Sequence, residues 1–118
     1  MTTAGTAVVS GASRGIGLAT SRALASAGYR VAMLSRGADV LTAAARSIGE
    51  RATAIVCDVA DSVALDAALA RVNEEFADAP AVLVNNAGFF SLATVDATTV
   101  DDFRSAVDVN LVAPFRLV

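Results

Sequence analysis

The 118-residue sequence contains no histidine, no tryptophan and no lysine, and it has one cysteine and one tyrosine. Without histidine, the chain can form neither a histidine-ligated metal site nor a Ser-His-Asp triad, and we expect no metal site. The single cysteine, Cys57, cannot close an internal disulfide, which is typical of proteins from a reducing compartment. Because Cys57 ends an apolar run, we expect a buried, unreactive thiol rather than a nucleophile.

Basic residues are also few, since nine stand against twelve acidic residues and the formal net charge is −3. They are scattered along the chain, so the sequence predicts no binding to nucleic acid. The first residues lack the positive region of a signal peptide, and no apolar stretch is long enough to cross a membrane. We therefore expect a cytoplasmic protein without a membrane partner. With 55% hydrophobic residues, a chain of this length can bury one core but not two, which predicts one domain.

Short apolar segments alternate with helical patterns along the whole chain. The strand candidates are residues 6–9, 30–34, 52–57 and 81–84. The helix candidates are residues 15–27, residues 38–48, residues 61–76 with Asp61 as the N-cap, and a last helix capped by Thr98 or Thr99. Continuous apolar strands separated by helices predict parallel strands covered on both faces. The expected fold class is α/β, a doubly wound Rossmann-type sheet in the order 3-2-1-4.

Apolar or small residues at helical spacing predict which face of each helix packs on the sheet. The expected faces are Ala19, Ala23 and Ala27 in the first helix, Leu65, Leu69, Val72 and Phe76 in the third, and Val100, Phe103, Val107 and Leu111 in the last.

The most informative segment, residues 10–17, reads Ser-Gly-Ala-Ser-Arg-Gly-Ile-Gly and joins the first strand to the first helix. Gly11, Gly15 and Gly17 allow backbone to approach a phosphate, and the free N–H groups of a helix start attract an anion. A P-loop would need Lys and then Ser or Thr after the last glycine, whereas Leu18 and Ala19 stand there. The segment predicts a pyrophosphate site, with a purely structural turn as the alternative.

Polar residues follow the third and fourth strands. Asp58 and Val59 come at the end of the third strand, where open α/β sheets bind ligands, although an aspartate there can equally cap a loop. The run 85–88 reads Asn-Asn-Ala-Gly after the fourth strand, and it fits either a ribose contact or a simple turn. Asn110 interrupts the apolar pattern of the last helix and is costly if buried without a partner; otherwise it marks an exposed or bent helix position.

These motifs, in this order and at these separations, resemble the short-chain dehydrogenase/reductase family. The resemblance extends from the first strand to the last residue, and residues 11–17 are most similar to the β-ketoacyl-acyl-carrier-protein reductases. The family usually has threonine at the position of Ser10, and serine keeps the hydroxyl. Such a resemblance implies a site for a nicotinamide dinucleotide.

The resemblance also implies a role for each motif. The residues implied to line the phosphates and ribose are Gly11, Ser13, Arg14, Gly15, Ile16 and Gly17, and those implied at the adenine are Asp58 and Val59. Asn86, Ala87 and Gly88 are implied to contact the ribose and flank the cofactor. Asn110 matches the helix asparagine that holds a water in the catalytic proton relay of the family.

The choice between NADP and NAD can be argued from charge. An NAD site places a carboxylate at the end of the second strand, but this chain has Ser35 and Arg36 there, and Asp39 comes only later. Arg14 and Arg36 instead offer two cations to a 2′-phosphate. The sequence therefore favours NADP over NAD, with a solvated loop residue as the alternative for Arg36.

The catalytic Tyr-x-x-x-Lys pair of the family has no counterpart, because lysine is absent and Tyr29 precedes the second strand. The sequence thus resembles the amino-terminal half of an NADP-dependent oxidoreductase, with residues 1–118 forming a single cofactor-binding domain. The intact enzyme would transfer hydride between NADP(H) and a small carbonyl or alcohol, and we expect it to be a homo-oligomer. The alternatives are a non-catalytic nucleotide-binding module and one half of a two-chain assembly.

Overall fold

The computed structural model describes residues 3–118 and has a four-stranded sheet in the order β3-β2-β1-β4, with every neighbouring pair parallel. The strands are β1 (Gly5–Ser10), β2 (Tyr29–Ser35), β3 (Ala52–Val56) and β4 (Pro80–Val84). The helices are α1 (Gly15–Ser26), α2 (Ala38–Ile48), α3 (Ser62–Glu75), α4 (Val100–Val107) and α5 (Ala113–Leu117). The predicted α/β fold class and strand order are confirmed.

The core consists of two buried clusters, one on each face of the sheet. Successive side chains of a strand point to opposite faces, so β1 contributes to both clusters. Ala7 and Val9 of β1 belong to the cluster with Leu41 of α2, whereas Val8 belongs to the cluster with Leu65 of α3. This two-sided burial explains why the strands read as continuous apolar runs.

Side-chain caps begin α3 and α4, as the sequence predicts. The Asp61 carboxylate accepts hydrogen bonds from the backbone N–H groups of Val63 at 3.0 Å and Ala64 at 3.2 Å. Of the two candidates for the last cap, Thr99 is the one used, and its hydroxyl accepts from the N–H of Asp102 at 3.0 Å. Each cap satisfies N–H groups that a helix start leaves without partners.

The expected packing face of α1 is wrong. Ala19, Ala23 and Ala27 are exposed, and the buried residues of α1 are Gly17, Ser21 and Ala25. The rotation of the helix is fixed by Gly17, which packs against the carbonyl of Gly11 in the turn after β1. The buried Ser21 hydroxyl on the same face finds its partner within the helix, because it donates to the Gly17 carbonyl at 2.8 Å. These contacts outweigh the small-residue pattern on the other face.

The last helix is not continuous, and its apolar stripe is not buried. A π-helical turn, Asp108–Val112, separates α4 from α5. Pro114 has no N–H group, and its ring crowds the carbonyl of the residue four positions earlier, which is Asn110, so regular α-helical bonding stops here. Val100, Phe103 and Leu111 of the stripe are exposed.

Among residues 3–118, no helix is both long and apolar enough to span a bilayer. In the same part of the chain, no three His, Cys, Asp or Glu side chains lie close enough together to hold a metal ion.

Candidate functional site

A cavity of about 770 Å³ lies at the carboxyl ends of the strands, and residues that follow each of the four strands line it. In parallel α/β sheets this edge is where ligands bind. Ten residues predicted from the sequence are part of the lining: Gly11, Ser13, Arg14, Ser35, Arg36, Asp58, Val59, Asn86, Ala87 and Gly88. Motifs that are separated by up to 77 residues in the sequence therefore meet in one place.

Two glycines allow the turn after β1 to pack against the turn after β4. Gly11 has a φ of +61°, and a Cβ on it would lie 2.9 Å from Cα of Ala87. A Cβ on Gly17 would collide with the carbonyl of Gly11 and would lie 2.6 Å from Nδ2 of Asn86. Neither position has room for a larger residue without displacement of backbone, so both glycines allow the two turns to lie against each other, and Gly11 itself lines the cavity.

The start of α1 is open to an anion. Its N-cap residue, Arg14, provides no side-chain cap, and the first turn contains no acidic residue. The first N–H groups of a helix carry a partial positive charge and have no partner within the helix. Gly15, Ile16 and Gly17 belong to this first turn and do not themselves line the cavity; the Ile16 side chain is 77% exposed.

Ser10 and Asn86 join the turns after β1 and β4 through hydrogen bonds. The buried Ser10 hydroxyl accepts from the N–H groups of Asn86 at 3.1 Å and Ala87 at 3.0 Å. In return, the Asn86 side chain donates from Nδ2 to the Gly11 carbonyl at 3.0 Å. The hydroxyl of Ser10, where the family usually has threonine, thus connects the two turns, and the Asn86 amide supports the glycine turn.

Two arginines reach the cavity, Arg14 from the turn after β1 and Arg36 from the residue directly after β2. Arg14 and Arg36 line it, both are exposed, and neither forms an ion pair within residues 3–118. Ser35 donates from its hydroxyl to the hydroxyl of Ser13 at 3.1 Å, which connects this strand end to the glycine turn. Asp39 is exposed in the first turn of α2 and does not line the cavity, so Asp58 at the end of β3 is the one carboxylate in the lining against these two arginines.

The end of β3 contributes a carboxylate and a neutral thiol. Asp58 accepts from the N–H of Ala60 at 3.0 Å and also lines the cavity, so it is both a loop cap and a potential ligand contact. Cys57 is 3% exposed. Burial, and secondarily the charges of Asp58 and Asp61, raise the pKa of its thiol to about 11. The thiol stays protonated near neutral pH, which agrees with the unreactive cysteine expected from the sequence.

Asn110 lies next to the cavity but does not line it. Its Oδ1 accepts from the N–H of Phe89 at 2.9 Å, and its Nδ2 donates to the carbonyl of Phe89 at 2.6 Å. Both ends of the side-chain amide therefore hold the loop after β4. The observed role of this side chain is to position that loop.

Five lining residues were not predicted: Leu34, Gly37, Cys57, Phe89 and Val109. Each is a direct neighbour in sequence of a predicted residue, so extending each motif by one residue would have found them. Phe89 is the most distinctive of the five, because it is the one aromatic residue among those that line the cavity.

Comparison with known proteins agrees with this geometry. A family model described as short chain dehydrogenase matches residues 5–118. The chain is 36% identical over 112 residues to a galactitol 2-dehydrogenase of Agrobacterium fabrum, covering 95% of this chain and 43% of the relative. It is 36% identical over 110 residues to the 3-oxoacyl-[acyl-carrier-protein] reductase MabA of Mycobacterium tuberculosis, covering 93% of this chain and 41% of the reductase.

A solved structure has the same fold over nearly the whole chain. A metagenomic short-chain oxidoreductase in complex with NADP superposes with a TM-score of 0.90 at 36% identity, covering 98% of this chain and 53% of that one. The chain therefore spans about half the length, or slightly less, of the relatives it matches.

Proposed function

The chain belongs to the short-chain dehydrogenase/reductase family, and on this premise we propose that residues 1–118 form the NADP(H)-binding domain of an oxidoreductase. The observation that carries the proposal is the cavity at which the uncapped start of α1 meets the guanidinium groups of Arg14 and Arg36, which have no ion-pair partner in residues 3–118. When bound, NADP(H) supplies or accepts the hydride. The named relatives act on a polyol and on an oxoacyl group, so the proposed substrate class is a small alcohol or carbonyl compound.

The lining residues fit the parts of the dinucleotide in turn. The pyrophosphate would be held by the N–H groups of Gly15, Ile16 and Gly17 at the start of α1, beside Gly11 and Ser13. The 2′-phosphate would be held by Arg14, Arg36 and Ser35, and the adenine by Asp58 and Val59. On the β4 side of the cavity, the ribose would be contacted by Asn86, Ala87 and Gly88.

NADP is preferred to NAD in this proposal because of the charge at the end of β2. Two guanidinium groups without ion-pair partners in the described residues favour a doubly charged phosphate, and no carboxylate is placed there to accept a hydrogen bond from a ribose 2′-hydroxyl. The NADP complex of the metagenomic relative supports the same choice.

Residues 1–118 are not expected to catalyse turnover alone. The chain has no lysine, and its only tyrosine, Tyr29, begins β2 at the end of the sheet opposite the cavity. The tyrosine and lysine that the family resemblance assigns to proton transfer thus have no counterpart here. Asn110 would contribute by positioning the loop after β4.

Competitive titration of NADPH and NADH with Arg36→Asp tests the cofactor assignment. Loss of a charge-assisted contact and gain of a negative charge should weaken NADPH binding about tenfold or more, and NADH binding should be unchanged or stronger. Arg46→Asp is the matched control, because Arg46 is exposed in the last turn of α2 and does not line the cavity. An unaltered preference for NADPH in Arg36→Asp would overturn the assignment.

One observation favours a second candidate, a half that functions together with another polypeptide. In the described residues β4 pairs only with β1, so one edge of β4 is free, and apolar residues that follow β4 in the sequence, among them Phe90 and Leu92, are exposed. Free apolar edges favour pairing with another chain. We expect light scattering on purified residues 1–118 to show oligomers or aggregates, whereas a stable monomer with a cooperative melt would favour a self-sufficient nucleotide-binding module.

A further inference from the structure

The topology separates the two halves of a bound dinucleotide. β2 and β3 lie on one side of β1, and β4 lies on the other. The cavity wall contains Arg36 and Asp58 on the first side and Gly88, Phe89 and Val109 on the second. If the pyrophosphate lies at the start of α1 and the adenosine half on the β2–β3 side, as proposed above, the nicotinamide half must extend over β4.

Phe89 is the one aromatic residue among those that line the cavity. Its side chain is half-buried, while the adjacent Phe90 is 82% exposed and does not line the cavity. An aromatic ring at a half-buried cavity wall provides a flat apolar surface on which another planar ring can pack.

The backbone of Phe89 is held on both sides. The side-chain amide of Asn110 accepts from its N–H and donates to its carbonyl, at 2.9 Å and 2.6 Å. Asn110 itself lies in the π-helical turn Asp108–Val112, which brings its side chain to this loop. A ring carried by a fixed backbone loses little conformational entropy when a ligand packs against it.

We propose that Phe89 is a binding residue for the nicotinamide ring, which packs against the phenyl group on the β4 side of the cavity. This inference rests on the proposed function and extends it to a residue that the sequence motifs do not include. Asn110 then acts as a positioning residue for the nicotinamide through the backbone of Phe89.

The test compares Phe89→Ala and the more conservative Phe89→Leu with Phe90→Ala, using NADPH and 2′,5′-ADP as ligands. Binding is measured by calorimetry and by the fluorescence emission of bound NADPH, and each variant is first checked for an unchanged thermal melt. Because 2′,5′-ADP has no nicotinamide, Phe89→Ala should leave its affinity unchanged while weakening NADPH binding about fivefold to tenfold and altering the bound emission. Phe89→Leu should have a smaller effect in the same direction, and Phe90→Ala none.

The outcomes distinguish this inference from the function on which it rests. Equal NADPH affinity and emission in Phe89→Ala and the unmodified chain would overturn the role of Phe89 while leaving the cofactor site intact. Equal weakening of both ligands would also overturn it, since the effect would then be general. Failure of 2′,5′-ADP to bind the unmodified chain would overturn the proposed function, and this assignment with it.

Discussion

The part of the molecule formed by β1, β2, β3, α1 and α2 is packed differently from the part formed by β4, α4 and α5. The central strands β1 and β2 have continuous runs of buried residues, from Thr6 to Ser10 and from Val31 to Leu34. In contrast, β4 and α4 contain no fully buried residue. The large exposed apolar residues of the second part include Phe90, Leu92, Val95, Val100, Phe103, Leu111 and Phe115.

This difference divides the candidate site as well. The side proposed for adenosine and pyrophosphate is supported by helices and strands that bury one another. The side proposed for nicotinamide is built on an edge strand and on a helix, α4, that has no fully buried residue. Local stability follows buried contact, so the first side should open only with global unfolding and the second should open more easily.

The largest change in stability is expected at Gly17, where the two parts of the molecule meet. In Gly17→Ala the new methyl group meets the Gly11 carbonyl and the Asn86 amide, and the free energy of unfolding should fall by about 3 kcal/mol or more. Gly37→Ala is the control, because no atom lies within 4 Å of its added Cβ. Urea denaturation measures both, and a Gly17→Ala variant as stable as Gly37→Ala would contradict the close contact between the two turns.

A smaller loss of stability is expected at alkaline pH, when the thiol of Cys57 at the end of β3 ionises. Burial holds the thiol neutral and raises its folded pKa from 9.0 to about 11. The unfolded state therefore loses this proton first, so the contribution to stability is complete below about pH 9 and is lost as the pH rises through 11. Relative to Cys57→Ala, whose stability lacks this titration, the unmodified chain should lose about 2 kcal/mol over that interval.

The absence of lysine makes the Cys57 measurement cleaner, since few other side chains titrate between those pH values. Parallel stability curves for the unmodified chain and Cys57→Ala would mean that the thiol is solvated rather than buried.

The smallest changes in stability are expected when the side-chain caps of α3 and α4 are removed one at a time. Asp61→Ala removes the cap of α3, which packs on the core, and should lower the free energy of unfolding by about 1 kcal/mol. Thr99→Ala removes the cap of α4, which has no fully buried residue, so it should speed amide exchange in α4 with little change in global stability. Equal losses of global stability in the two variants would show that α4 folds together with the core.

Local patterns predicted most of the fold. The bounds of α2 were predicted to the residue, because an apolar stripe that includes Leu41 is followed by Gly49. The four strands were predicted to within one residue at each end, because continuous apolar runs are typical of strands buried on both faces. Strand order followed from the alternation of strands and helices together with the glycine turn.

The errors came from contacts between residues that are distant in the sequence. The rotation of α1 depends on Gly17 meeting Gly11 and on the Asn86 side chain from beyond β4, none of which is visible in the helix pattern. The π-helical turn before α5 agrees with the alternative that Asn110 marks an exposed or bent helix position. The helix pattern does not show that the Asn110 amide forms both of its hydrogen bonds with the backbone of Phe89. Phe89 directly follows the predicted run 85–88, but only the fold shows that its position lies in the cavity wall.

Amide chemical-shift mapping by NMR is the most direct test of a dinucleotide site that is divided across β1. Addition of 2′,5′-ADP should shift the amides of residues 11–17, 35–37 and 58–59 and leave those of residues 86–89 and 109 nearly unchanged. Addition of NADP⁺ should shift both sets. If 2′,5′-ADP instead shifts mainly residues 86–89, or if neither ligand shifts residues 11–17, the division of the site is contradicted.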